Sequence, residues 1–131
     1  MIKHDKDFYI EQYTELFTSI EKAINTNDYK LNNKLYTQTA KLFKKIEHDK
    51  VLAEEVFACL IDNKNPHVSI GIAVHAISIG LLLSQSKKVL EKFAKSPPGI
   101  ILVSASNTLE AWKDQGYLLV YPNQEQMKTY T

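Results

Sequence analysis

The chain contains no arginine: all sixteen of its basic residues are lysines. Lysine carries a flexible point charge, whereas arginine's planar fork grips guanine or phosphate in two places, so this absence argues against a nucleic-acid reader. Fifteen acidic residues leave a net charge of +1, and no overall field draws in nucleic acid or anionic lipid. The single cysteine, Cys59, excludes an internal disulfide framework and a cysteine-rich metal site, which fits a reducing compartment. The opening MIKHDKDFYIEQY puts charges where a secretory apolar region would have to lie, so no signal peptide is expected and the protein reads as cytoplasmic. There is no GxSxG, no HExxH, no phosphate-binding loop and no dinucleotide fingerprint. No enzymatic activity, cofactor, metal or small-molecule substrate is expected.

What is present describes an ordinary folded domain. At 131 residues, with 44% hydrophobic and 24% charged residues, the chain is one domain with enough apolar material for a core. Charge is banded along it. Residues 1–63 hold nine lysines and eleven acids, and residues 64–131 hold seven lysines and four acids, giving −2 and +3. A polar protein-binding face fits such banding better than a DNA-binding stripe.

Helical periodicity dominates. Tyr9, Tyr13, Leu16, Phe17, Ile20 and Ile24 recur at steps of three and four, which predicts an amphipathic helix over 7–25. After NTND, Asp28 is placed to cap a second helix with Leu31, Leu35, Thr39, Leu42, Phe43 and Ile46 inward. Asp49 caps a third over about 50–61, whose core face is read as Leu52, Val56, Cys59 and Leu60, making Cys59 a packing residue. A fifth, capped by Ser84 or Ser86, buries Val89, Leu90, Phe93 and Ala94. SPPG then forces a turn, and a sixth helix over 98–115 ends at Gly116. Tyr117 to Tyr121 is expected to be extended and clamped on the last helix, with a frayed end beyond it.

The fourth helix is the unusual one. Asn65 and Pro66 form a strong start signal, because asparagine accepts orphan amide bonds and proline at the first helical position needs none. From Val68 to Leu83 the residues are apolar in nearly every direction, which marks a buried or membrane helix. Sixteen residues fall short of the roughly 20 a span requires, and no hairpin signal supports a strand. Gly71 and Gly80 are read as places of close helix approach or a bend. The fold expected is all-α: about six helices in stacked antiparallel hairpins, a short α-solenoid.

Candidate sites are few. His75 has no ligating residue three or four positions away and reads as a core or groove histidine bonded to a neighbouring helix. His4, His48 and His67 stand alone at helix ends and turns. Asp7, Glu11 and Glu15 recur every four residues along one face of the first helix, and Glu47, Asp49, Glu54 and Glu55 gather around the start of the third. Exposed carboxylates lack the closed pocket that acid/base chemistry needs, but a docking surface for a basic partner needs only their charge. Seven tyrosines spread over both ends of the chain suit either an interface or the stapling of helix ends.

In order, LNNKLY, LIDNKNPHVSIGIAVHAI and SKKVLEKFAKSPPGIILVSASNTLEAWKDQG resemble the small bacterial domains built of HEAT-like helical hairpins. The matching positions are Asn32 or Asn33, Asn65, Val68, Ala73, Ala76, Val89 to Ala94, Leu109 and Trp112, covering about 31–116, with 117–131 as a tail. Ser69 departs from the pattern, since such repeats often carry arginine there. Members of this and related families sit in bacterial toxin and immunity loci, including those of contact-dependent growth inhibition. The resemblance therefore implies an immunity protein that neutralises a cognate toxin, such as a nuclease, by direct contact. Asp7, Glu11, Glu15, Glu47, Asp49, Glu54 and Glu55 are the expected contact residues. The alternative is a helical scaffold or regulatory module that binds a peptide or protein.

Overall fold

The computed structural model describes residues 5–131, so His4 lies outside the described residues. Six helices account for its regular structure: α1 (Lys6–Asn25), α2 (Tyr29–Ile46), α3 (Lys50–Leu60), α4 (Pro66–Ser78), α5 (Leu83–Phe93) and α6 (Ile100–Gln115). Successive helices pack against one another, and the fold is all-α, as the periodicity predicts. α1 rests on α2, α3 and α4, while α4 also touches α3, α5 and α6. These two helices hold the stack together.

Four helix starts carry ordinary carboxylate or amide caps: Asp28, Asp49 and Asn65, as the sequence predicts, and Asp5. Asp5, Asp28 and Asp49 each accept a bond from the backbone amide three residues on, at 3.0 to 3.1 Å, and Asn65 accepts from His67 N at 2.9 Å. Two helix ends are closed by paired bonds running backwards into the last turn. At the end of α1, Asn27 N donates to Ile24 O and Asp28 N to Ala23 O; at the end of α4, Gly80 N donates to Ile77 O and Leu81 N to Ala76 O. This double closure requires a left-handed residue, supplied by Asn27 at φ 56° and Gly80 at φ 76°.

The closure at Gly80 corrects the reading of the fourth helix. It does not run on to Leu83 but stops at Ser78, because two carbonyls of its last turn are satisfied by the reversing chain. Gly80 is thus a stop rather than a close crossing. Neither Ser84 nor Ser86 caps α5: Leu82, itself left-handed at φ 50°, precedes it without a side-chain cap, and Ser86 is buried inside the helix. A Cβ on residue 80 would lie 3.0 Å from Met127 Sδ as well as in a strained conformation. Gly80→Ala is therefore expected to cost about 1–2 kcal/mol in chemical denaturation, whereas Asn27→Gly at the matching position of α1 should leave the midpoint within error.

Gly71 is a true close approach. A Cβ there would sit 2.5 Å from Cζ of Phe17, so α1 and α4 meet over a glycine. Ser69, wholly buried where the resembled repeats often carry arginine, donates its hydroxyl to the Ile61 carbonyl and ties α4 to the end of α3. On α3 the core face is Ala53, Val56, Phe57 and Leu60. Cys59 is exposed, contrary to the expected packing role, because the large Phe57 ring sets which side of the helix turns inward.

The segment after Gly116 departs from expectation at both ends. Instead of lying along α6, it crosses to α2, where Tyr121 packs its ring against Phe43 and donates its hydroxyl to Glu47. Gln124 is buried, accepts from Val120 N at 2.7 Å and reaches the Ser78 carbonyl at the end of α4. The chain then returns: Thr129 N donates to Gly116 O at 2.8 Å, and Trp112 Nε1 donates to Thr129 Oγ1 at 2.8 Å. The tail is a strap across the stack, and its end is tied down.

Candidate functional site

The sequence points to the carboxylates, and the fold sorts them by what else they do. α1 and α3 lie side by side and run the same way, with the Tyr13 ring against Phe57 one turn on from the place where Asp49 approaches Tyr9. Burial, and then the Asp49 charge, raise the Tyr9 phenol above its usual range. Both helices therefore begin at the same end of the molecule. Asp7 falls in the first turn of α1 and Asp49 caps α3, where negative charge offsets the positive ends of the helix dipoles.

Glu47 is committed elsewhere. It accepts the Tyr121 hydroxyl and stands 3.4 Å from His48 Nε2, and it is not freely exposed. Burial of the phenol, and then its bond to the Glu47 carboxylate, push Tyr121 up to about 12. The other four, Glu11, Glu15, Glu54 and Glu55, are exposed and have no side-chain hydrogen-bond or ion-pair partner among the described residues. Among the described residues no lysine comes within 4.0 Å of any carboxylate; the two close pairs both use histidine, His48 with Glu47 and His67 with Glu21.

Opposite charge is gathered on other elements. Lys30, Lys34, Lys41, Lys44 and Lys45 of α2, a helix with no acid, and Lys88 and Lys92 of α5 are exposed, whereas α6 sets Lys113 against Glu110 and Asp114. The basic helix α2 packs beside α1, so the banding seen in the sequence alternates between neighbouring helices. Because Asp49 is a cap as well as a surface charge, Asp49→Ala is expected to lower stability by about 1 kcal/mol. The measurement is a urea midpoint, and an unchanged midpoint would remove the capping role.

His75 is where the sequence placed it, in the core, and its partner is now known. Nδ1 lies 3.1 Å from the Tyr13 hydroxyl on α1, and the rings of Tyr13, Phe17, Phe43 and Phe57 stand edge-on around it. Burial without a compensating charge lowers its pKa to about 3, so the ring is neutral at physiological pH. No group of three histidine, cysteine, aspartate or glutamate side chains among the described residues is placed to hold a metal ion. No helix there is long and apolar enough to cross a membrane.

One feature went unread in the sequence. A cavity of about 430 Å³ opens between α1, α2, α4 and α6, with the tail at one side. Its only signal was the row of exposed apolar residues Tyr36, Ile100 and Val103, which helix periodicity alone does not bring together. The chain matches no protein-family model, no curated protein and no solved structure. The class defined by the fold is an all-α helical stack.

Proposed function

We propose that the chain is a cytoplasmic, non-enzymatic immunity protein that binds and neutralises a cognate bacterial toxin by direct contact. The observation that carries this reading is the set Glu11, Glu15, Glu54 and Glu55: exposed, unpaired among the described residues, and free there of any capping or bridging task. Unneutralised charge on a rigid helical surface steers a partner of opposite sign and fixes its orientation. A nuclease toxin, whose active-site surface must attract phosphate, has that sign. The resemblance to HEAT-like domains from toxin and immunity loci supports the same choice.

The contact residues are thereby ranked. Glu11, Glu15, Glu54 and Glu55 lead; Asp7 and Asp49 contribute charge from the shared helix-start end; Glu47 contributes least, because Tyr121 and His48 already occupy it. Co-purification with the protein encoded next to it, at low salt, is the test. Binding should weaken steeply with salt, and the fourfold reversal Glu11→Lys, Glu15→Lys, Glu54→Lys and Glu55→Lys should reduce affinity about a hundredfold with little change in stability. Absence of binding at low salt would sink the reading.

A further inference from the structure

The cavity between α1, α2, α4 and α6 holds about 430 Å³, within the roughly 300–1,000 Å³ of pockets that take a small molecule. Phe17, Ile70, Val74 and Ile101 line it, and Tyr36 and Val103 stand about half exposed at its mouth. No lysine, aspartate or glutamate lines it. Apolar walls alone would suit many occupants, and His75 narrows the choice.

The His75 ring lines the cavity and is only 5% exposed. Tyr13 is wholly buried, and its hydroxyl has no partner other than His75 Nδ1. An O–H that did not donate there would be an orphaned buried donor, so the phenol donates to Nδ1 and the proton of the neutral ring resides on Nε2. Nε2 has no acceptor among the described residues. It is not sealed in the core like Ser86 Oγ, and the opening that this ring lines is the cavity. His67, 3.6 Å from Glu21, and the hydroxyls of Tyr36, Thr39, Ser104 and Thr108 also belong to the lining, those of Thr39 and Thr108 already donating to backbone carbonyls. The pocket thus has a largely apolar body and, at its His75 wall, one N–H donor on a nine-tenths buried side chain.

We infer that the cavity binds an uncharged, largely apolar small molecule with one hydrogen-bond acceptor, a ketone, ester or amide carbonyl, seated against Nε2–H of His75. A carboxylate would lose its water with no lysine in the lining to replace it, and His67 already faces Glu21. A purely apolar molecule would leave the donor unsatisfied. A partner helix, about 10 Å across, would lie over the mouth and reach the ring with one side chain at most. The site shares no residue with the acidic contact set, so its fate is independent of the toxin-binding reading.

The test titrates the full chain with three molecules of one shape: 2-acetylnaphthalene, which has a carbonyl; 2-ethylnaphthalene, which has none; and 2-naphthoate, which is charged. Methyl resonances of Ile70, Val74 and Ile101 and the imidazole nitrogens of His75 report binding. The ketone should shift all of them and bind about tenfold tighter than the ethyl compound, and the naphthoate should not saturate. Val74→Trp, filling the cavity from a half-buried position, should abolish the shifts. His75→Phe should keep ketone binding but erase the tenfold preference. If that variant does not fold, Val74→Trp and the three-ligand comparison still decide. Equal affinities, shifts elsewhere, or no saturation by the ketone would overturn the assignment. So would shifts of the same methyls on concentrating the protein alone, which would make a second copy the occupant.

Discussion

Trp112→Ala is expected to remove about 3–5 kcal/mol of stability, a large share of the roughly 5–15 kcal/mol typical of a domain. Trp112 is 2% exposed and does two things at once. Its ring takes the edge of Tyr130 at 5.1 Å between centroids, and its indole N–H donates to Thr129. Both partners belong to the returning end of the strap. The variant should therefore lose more than buried area, because the returning end of the tail loses its side-chain anchor.

That coupling separates the strap from an ordinary core contact. In urea the variant should unfold at a lower midpoint, and under native conditions limited proteolysis should cut between Tyr121 and Thr131 well before the helices are attacked. Thr129→Val is the smaller companion. It keeps the shape, leaves the indole N–H without its acceptor, and should cost about 1–3 kcal/mol. A Trp112→Ala protein whose tail resists protease as well as the parent would show that the Tyr121 and Gln124 contacts alone hold the strap.

The strap marks the boundary of what the sequence makes legible. The six helices, their order and the caps Asp28, Asp49 and Asn65 follow from local rules: apolar spacing, and a carboxylate or amide placed before the first turn. Those signals sit within four residues of what they determine. The stop after Ser78 was also local, since Gly80 supplies it, but an unbroken apolar run to Leu83 masked the glycine. Cys59 is exposed against expectation because α3 offers two stripes, one through Leu52 and Cys59 and one through Ala53 and Phe57. Only the aromatic cluster around His75 decides between them.

The long-range features had no local trace. Glu47 meets Tyr121 across 74 residues and Tyr13 meets His75 across 62, distances at which neither period nor turn chemistry carries information. The carboxylates were visible as residues, but their division into helix caps, a tail anchor and unpaired charge depends on those distant contacts. The cavity is a property of four helices together, and no single stretch announces it.

Acidification from pH 7 to 5 should lower stability by about 2 kcal/mol through His75 alone. In the unfolded chain the imidazole titrates at its ordinary 6.5, whereas in the folded core burial lowers it to about 3. Between those values the unfolded state holds a proton that the folded state does not, so stability rises with pH. The stability is fully present above 6.5, is lost progressively as pH falls from 6.5 towards 3, and changes no further below. Tyr13 cannot rescue the ring, because an imidazolium would present N–H to the hydroxyl from Nδ1 and the phenol would have to reverse its bond. Equilibrium unfolding at pH 7, 6 and 5, above most carboxylate titrations, isolates the effect. His75→Phe should be less stable at pH 7, since it orphans the Tyr13 hydroxyl, yet its stability should change by about 2 kcal/mol less than the parent's between pH 7 and 5. Parallel pH profiles for the two proteins would show that His75 is charged in the fold and that the aromatic cage admits water.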